Sequence, residues 1–337
     1  MPQRPQELVK YLSTPLPQLR EQYPPGTGGT GPRSDWSEGT LKTVQVIDDF
    51  EQQVKDYLSK QTKEPISPHP NHKFPKFLQE ISSVPNVLKA PADLQKCLST
   101  LPLAAVGSVL TALDSDPADF EHDQQTGKAI DGAGYESDGG EHAHATAQPL
   151  RDQKTKPWQW RFNKSPMGSG EFHLIKRDSE DVKLVVRTIN SSAFSAEDWK
   201  EYVVSGSYHY DTRSRASWYW SRSWGATKRL GCDYWVLTDW QRWVFGKFDT
   251  PKEHGWVSPI LNFDSENPSI LQALFYWCRS AIGDTNGYKE ELKDVSGSEK
   301  LFPVNLGRRS SVKGKDASGT RVKRANESDI EESDVEE

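Results

Sequence analysis

The sequence contains few of the residues that mark a secreted or membrane-spanning protein. Its three cysteines are widely separated among 337 residues and lack the paired spacing of a zinc site or a redox motif. No apolar run approaches the roughly 20 residues that span a bilayer. The N-terminal MPQRPQELVK also lacks the apolar segment of a signal peptide. These absences predict a soluble intracellular protein with no membrane partner and with reduced, buried thiols.

Bulky apolar residues are also scarce, since hydrophobic residues make up 34% of the chain and its mean hydropathy is -0.77. Such a composition predicts one compact domain with mobile flanks. Eleven of the 12 tryptophans lie between Trp158 and Trp277, so the core is expected there. The composition divides the chain into a flexible N-terminal segment at 1–35, a helical region at 36–114, an acidic disordered linker at 115–156, a tryptophan-rich α/β domain at 157–283 and a disordered tail at 284–337.

The region at 36–114 shows helical spacing of its apolar residues. From Thr40 to Lys60 these residues recur every three or four positions, which predicts one amphipathic helix. A longer helical stretch carries Pro102 in its middle, and proline interrupts a helix, so a break is expected there. We expect these helices to pack beside the tryptophan-rich domain or against each other, without a cofactor role.

The segment from Asp114 to Gln148 is rich in acids and glycines, with almost no bulky apolar residue after Phe120. It cannot offset its ordering entropy by burial, so it is predicted to be a disordered acidic loop. A metal could in principle be held by Glu141, His142 and His144. A zinc site needs a second cluster at a defined spacing, so we predict no metal site and no cofactor.

The tryptophan-rich region contains five strand patterns. PWQWRFN and EFHLIKRD alternate in polarity, which is typical of half-buried strands. VKLVVRTI is nearly continuous and indicates a strand deeper in the sheet. YWVLT and RWVFGKF carry apolar residues on both of their faces, so a helix should cover each face of these two strands.

Helical patterns separate and follow these strands. Ser195 has the side chain of an N-cap for one helix, and a second helix covers SRASWYWSRSWGATKRLG. A closing helix at PSILQALFYWCRSAIGD begins at Pro268. The predicted fold class is therefore α+β or α/β, with a helical N-terminal region followed by a mixed five-stranded sheet with crossover helices.

The strand LVVRTI, the helix after it and the strands of YWVLTDWQRWVFGKF resemble the second half of the restriction-endonuclease-like, or PD-(D/E)XK, fold. The resemblance covers residues 157–283. This stretch and its continuation NFDSENPSILQALFYW are also similar to uncharacterised proteins of mushroom-forming fungi. The resemblance implies a nuclease-like domain, in which an aspartate of the second strand and the glutamate of Glu-x-Lys in the third hold a divalent ion, and the lysine lies near the attacking water.

The catalytic residues that this resemblance implies are incomplete. The second strand offers Glu171 where the family has Pro-Asp, and the third strand has Val-Arg-Thr at 186–188 in place of the acid and lysine. Glu171 could instead be joined by Asp181 and Lys183, which read D-x-K within a charged turn. That alternative predicts an Mg²⁺-dependent nuclease. The preferred interpretation is a degenerate, noncatalytic domain without a cofactor.

A third hypothesis is noncatalytic nucleic-acid binding by the helix at 213–229, which mixes cations with aromatic side chains. Arg222, Lys228 and Arg229 are its candidate phosphate contacts. The alternative is that the tryptophans of this helix cover the sheet while the cations lie on its solvated side. Both interpretations place the helix against the sheet.

The tail carries two basic clusters that match a bipartite nuclear import signal, which predicts an import receptor as a partner and a nuclear rather than cytoplasmic location. The clusters consist of Arg308 and Arg309, then Arg321, Lys323 and Arg324. Serines in kinase-type patterns are Ser311, Ser328 and Ser333. A phosphate on these serines would weaken the attraction of the basic clusters for a receptor.

Together these patterns predict an intracellular, nonenzymatic binding or scaffold protein with an unidentified protein partner. Most of its tryptophans are assigned to the core, because they lie on strands and helices of the predicted sheet. Trp240 lies in the turn between two of the strands. It is therefore the tryptophan that we expect to contact a partner.

Overall fold

A mixed β-sheet forms the centre of the structure, and helices cover both of its faces. In this computed structural model the described residues all belong to the first of two units, Met1–Pro303, while the second unit, Val304–Glu337, lies outside them. The structure describes residues 5–23, 40–67, 74–115, 158–164, 170–176, 179–211, 213–293 and 301.

The described residues contain eleven strands in two sheets. The strands are β1 (Arg20–Glu21), β2 (Thr43–Val46), β3 (Val87–Leu88), β4 (Trp158–Asn163), β5 (Glu171–Lys176), β6 (Val182–Thr188), β7 (Gly206–Ser207), β8 (Tyr234–Thr238), β9 (Arg242–Phe248), β10 (His254–Val257) and β11 (Leu261–Asn262). The main sheet has the order β4-β5-β6-β8-β9-β10-β2-β7, with β11 paired to β9, and β1 pairs with β3. β6 runs parallel to β8, and β10 runs parallel to β2. The predicted mixed sheet is confirmed.

The described residues also contain eight α-helices in two layers. They are α1 (Leu8–Leu12), α2 (Phe50–Ser59), α3 (Phe77–Glu80), α4 (Pro91–Thr100), α5 (Pro102–Asp114), α6 (Ala196–Tyr202), α7 (Arg215–Leu230) and α8 (Ile270–Ala281). Side chains of α1 to α5 and α8 share one core with one face of the sheet. Helices α6 and α7 share a second core with the opposite face.

Side-chain caps set the ends of the helices around the second core and of α8. Ser195 and Ser269 each begin a helix with a capping box, in which the serine oxygen accepts a backbone N–H three residues later. Ser214 caps α7 in a similar way, and α7 ends at Gly231, whose φ of 64° favours glycine. The predicted N-cap at Ser195 is confirmed.

β8 and β9 lie in the middle of the sheet and alternate as predicted. Tyr234 and Val236 face the core that contains α8, whereas Trp235 and Leu237 face the core that contains α7. The residues of β9 from Trp243 to Phe248 divide between the two cores in the same way. The expectation that a helix covers each face of these strands is confirmed.

The stretch predicted as one helix from Thr40 to Lys60 contains both a strand and a helix. Its first part is β2, in which Val44 is fully buried in the core of α7, and α2 starts only at Phe50. The helical prediction is wrong for β2. A short apolar run does not define a periodicity, and this run forms a strand because its backbone pairs with β10 and its side chains are buried. β2 makes the predicted helical region part of the same sheet as the tryptophan-rich domain.

The N-terminal segment, predicted to be flexible over 1–35, is folded at residues 5–23. Leu8 and Leu12 are fully buried in the core beside α8, and the Ser269 hydroxyl donates a hydrogen bond to the carbonyl of Leu12 at 2.5 Å. These leucines supply apolar area that offsets the entropy of ordering the segment. The glycine-rich part of the prediction lies outside the described residues.

Residues 284–293, predicted to belong to the disordered tail, pack against the strands. The Trp256 Nε1 donates to the Glu291 carbonyl at 3.0 Å. The Gln45 side chain donates to the Lys293 carbonyl at 2.8 Å and accepts from the Lys293 N–H at 3.0 Å. Side chains of β2 and β10 thus hold this segment in place, although the segment itself forms no strand.

Helices α4 and α5 form the stretch of the described residues that is long and apolar enough to cross a membrane, Pro91–Asp114. The two helices meet at Leu101, just before Pro102, so the predicted break is confirmed. More than half of the most apolar 18 residues of the stretch are buried within the fold, and α5 packs against α8 and β4. Core packing therefore accounts for its apolar character.

Candidate anion-binding surface

Helix α7 presents a row of cations to solvent. Arg215, Arg222 and Arg229 are seven residues apart, which is two helical turns, so they lie on one side of the helix about 10 Å apart. Trp218 lies on the same side, between the first two arginines. We call these four residues the α7 stripe. The opposite side of the helix packs on the sheet.

Two cations of α7 lie over indole rings four residues earlier in the helix. The Arg222 Cζ is 4.6 Å from the ring centroid of Trp218, and the Lys228 Nζ is 4.5 Å from that of Trp224. A cation–π contact orients a cation without neutralising it. Among the described residues, neither Arg222 nor Lys228 forms an ion pair with a carboxylate. Lys228 is exposed and Arg222 is partly buried, so an external anion can reach Lys228 freely and Arg222 on its exposed side.

A buried carboxylate, Glu171, joins α7 to β5 and β6. Its Oε1 accepts a hydrogen bond from the Arg229 Nη2 at 2.9 Å and lies 3.0 Å from the His173 Nε2. The Arg187 Nη1 is 3.5 Å from Oε2 and donates to the Arg222 carbonyl at 2.9 Å. Glu171 and Arg187 are also cross-strand partners in the sheet. The carboxylate therefore positions arginines from both a strand and the helix.

The charge state of this cluster follows from its contacts. Burial by itself raises the pKa of Glu171, but the hydrogen bond from His173 and the charges of Arg187 and Arg229 outweigh it and lower the pKa to about 2. Burial lowers the pKa of Arg187 to about 10 and also lowers the pKa of Arg222. Glu171 is therefore ionised at neutral pH, and the Arg187 guanidinium is protonated.

Cations outnumber carboxylates at this surface. Helix α7 itself carries four cations and no acidic residue, the cations being Arg215, Arg222, Lys228 and Arg229. Two of them pair with carboxylates of neighbouring elements, Arg215 with Asp198 and Arg229 with Glu171. Such an excess produces a positive potential that attracts anions.

The residues of the predicted nuclease site do not come together. Glu171 begins β5, whereas Asp181 lies just before β6, where Val182 pairs with Ile175 near the end of β5. The two acids are at opposite ends of the hairpin, about 15 Å apart by the rise of the strands. Asp181 is exposed and lies 3.8 Å from Lys183. Among the described residues, no group of three or more His, Cys, Asp or Glu side chains could hold a metal ion.

A second buried acid, Asp239, lies in the turn between β8 and β9. It accepts hydrogen bonds from the Trp199 Nε1 at 3.0 Å and from the Arg242 N–H at 2.6 Å, and burial raises its pKa despite them. The adjacent Trp240 is fully buried and donates to the Pro17 carbonyl at 3.1 Å. The expectation that Trp240 contacts a partner is therefore wrong, because the N-terminal segment covers the turn.

The sequence pattern identified Arg222, Lys228 and Arg229, and the structure places all three on α7. It missed Arg187, because an arginine within an apolar strand gives no sign that it faces an acid on the neighbouring strand. Arg215 belongs to the same run of cations in the sequence, and the seven-residue repeat of the arginines places it on the same side of the helix.

Other predicted residues lie outside the described part of the chain. They are Glu141, His142 and His144 of the acidic segment, Arg308, Arg309, Arg321, Lys323 and Arg324 of the import signal, and the serines Ser311, Ser328 and Ser333. No family model, curated protein or solved structure matches the chain.

Proposed function

We propose that the protein is a noncatalytic binding protein that holds an anionic macromolecule on the α7 stripe and Lys228. The observation that carries this proposal is that Arg222 and Lys228 rest on indole rings and, among the described residues, form no direct ion pair with a carboxylate. Clustered cations of this kind attract polyanions and hold them in a salt-dependent way. Because the rings already orient both cations, less side-chain entropy is lost on binding.

The paired arginines of the stripe support the same function. The side chains of Arg215 and Arg229 remain 57% and 61% exposed although they pair with Asp198 and Glu171. The pair of Arg215 with Asp198 is a surface ion pair of the kind that contributes little to stability. An external phosphate or sulfate can contact the exposed side of each guanidinium, while the carboxylate keeps the arginine oriented.

The contacts of Glu171 favour binding over hydrolysis. A metal-dependent nuclease needs carboxylate oxygens that are free to converge on the ion. Here Oε1 is occupied by His173 and Arg229, and Oε2 lies beside Arg187. We therefore propose a degenerate relative of PD-(D/E)XK domains, in which the remaining acid organises arginines.

Fluorescence anisotropy with two labelled polyanions tests this function. The probes are heparin and an oligonucleotide of about 15 residues, each titrated between about 50 and 200 mM NaCl. The double variant Arg222→Gln/Lys228→Gln is expected to bind both probes more weakly and to reduce the slope of log Kd against log salt by about 2.

A matched control removes the same charge elsewhere. Lys60→Gln/Lys63→Gln changes two exposed lysines at and just beyond the end of α2, and it should leave both affinities unchanged. Equal loss in both double variants, or no salt-dependent binding by the native protein, would refute the proposed surface. Cleavage of the oligonucleotide in Mg²⁺ that is lost in Asp181→Ala would support the nuclease alternative instead.

A further inference from the structure

We infer that the anionic macromolecule is a single-stranded nucleic acid, and that Trp218 together with Arg222 forms the platform on which one of its bases stacks. This inference rests on the proposed function and adds the class of ligand. Charge alone does not distinguish one polyanion from another, whereas an aromatic platform selects a ligand with exposed planar rings.

Trp218 is the least buried of the three tryptophans of α7. Trp220 and Trp224 are fully buried, and their indole N–H groups donate to the carbonyls of Tyr202 at 2.9 Å and Lys252 at 2.8 Å. Trp218 is only partly buried and belongs to none of the core clusters of the described residues. Leaving indole surface in water forgoes the stabilisation that burial would give. Its position within the α7 stripe therefore points to a ligand.

The neighbours of Trp218 hold its ring in place before any ligand binds. Tyr219 meets the indole edge to face, with ring centroids 4.7 Å apart and an interplanar angle of 85°. Tyr219 is itself anchored against the core of α7. Arg222 lies over the indole at 4.6 Å. Both the indole and the guanidinium are planar groups on which a nucleobase stacks.

The arrangement matches a single strand better than other polyanions. Heparin and acidic peptides supply charge without nucleobases, and a duplex keeps its base faces stacked inside. A single strand supplies phosphates and free bases together. Arg215 and Arg229 lie on either side of Arg222, each about 10 Å away along the helix, so they can contact phosphates that flank a stacked base.

Trp218→Ala and Trp218→Phe test the platform against four labelled probes, namely oligo(dT) and oligo(U) of about 15 residues, a duplex of the same length, and heparin. Trp218→Ala is expected to weaken binding of both single strands by about tenfold without changing the salt slope, since no charge is removed. Heparin affinity should fall much less, because heparin loses only the orientation of Arg222 by the indole. Trp218→Phe keeps an aromatic face and should retain most of the affinity.

The outcomes separate this inference from the proposed function. If Trp218→Ala binds the single strands as tightly as the native protein while Arg222→Gln/Lys228→Gln binds them weakly, the platform is refuted and the anion-binding surface stands. Tighter binding of the duplex than of either single strand also refutes it. Displacement of oligo(dT) by poly-glutamate at equal charge concentration would indicate an acidic protein partner instead. A circular dichroism spectrum of Trp218→Phe that matches the spectrum of the native protein would confirm that this variant is folded.

Discussion

Trp235 and Gly246 face each other across β8 and β9, and the indole lies directly against the glycine backbone. A Cβ atom at position 246 would come within 2.0 Å of the Trp235 Cζ2. On the other face of the sheet, the Trp277 Nε1 lies 3.2 Å from the carbonyl oxygens of both residues. This cross-strand pair is thus contacted on both faces of the sheet. Position 246 requires glycine because the Trp235 indole lies so close to its backbone, and not because the chain turns there.

Gly246→Ala is therefore expected to be strongly destabilising. The added methyl group cannot fit unless the fully buried Trp235 or the strand moves, and such overpacking costs about 3 kcal/mol. Urea unfolding followed by circular dichroism measures the change. Gly231→Ala is the control, because position 231 has open space around it and a φ of 64°. It should lose only about 1 kcal/mol, from backbone strain.

Ser269→Ala should cost more than Ser195→Ala, although both serines cap a helix through a capping box. Loss of either cap costs about 1 kcal/mol. The Ser269 hydroxyl also donates to the Leu12 carbonyl, so its removal should add about 1 kcal/mol. The free energies of unfolding of the two variants, each compared with the native protein, test this difference. Equal losses would mean that the bond to the N-terminal segment contributes nothing.

Acid should weaken the fold through Glu171. Its pKa is about 2 in the folded protein against an ordinary value of 4.5, so its contribution is complete above about pH 4.5 and is lost as the pH falls toward 2. Glu171→Gln should therefore destabilise the protein by about 2 kcal/mol at neutral pH. The difference from the native protein should vanish near pH 2 in urea titrations. A difference that does not depend on pH would contradict the assigned ion pairs.

The three thiols should be unreactive in the folded protein. Cys97, Cys232 and Cys278 are free and buried, and burial raises the pKa of Cys97 and of Cys232 to about 12. Thiolate is the reactive form of cysteine. Ellman's reagent at pH 8 should therefore label none of them until guanidinium unfolds the chain, when all three react. Rapid labelling of one native thiol would show that its surroundings open.

Periodicity predicted the centre of the fold well, because strands such as β8 and β9 are buried on both faces and long enough to carry a clear pattern. Ser195 was found for a similar reason, since an N-cap is a local chemical requirement. β2 was missed because four residues cannot show a period, and its strand form depends on β10, which follows much later in the chain.

The candidate surface was only partly predictable for the same physical reason. A helix shows its own exposed side through residue spacing, so Arg222 and Lys228 were visible as cations beside aromatic residues. The partners of Glu171 depend on the register between β5 and β6 and on the packing of α7 over them. Those relationships are tertiary, and the residues involved lie far apart in the chain.

The pairing of β2 with β10 also determines when the protein can finish folding. Thr43 and His254 are 211 residues apart and adjacent in the sheet. At a synthesis rate of about 5 to 20 residues per second, β2 leaves the ribosome roughly 10 to 40 seconds before its partner exists. Closing so long a loop is slow compared with local helix formation. During translation β2 consequently remains without its parallel neighbour in the sheet until most of the chain has been made.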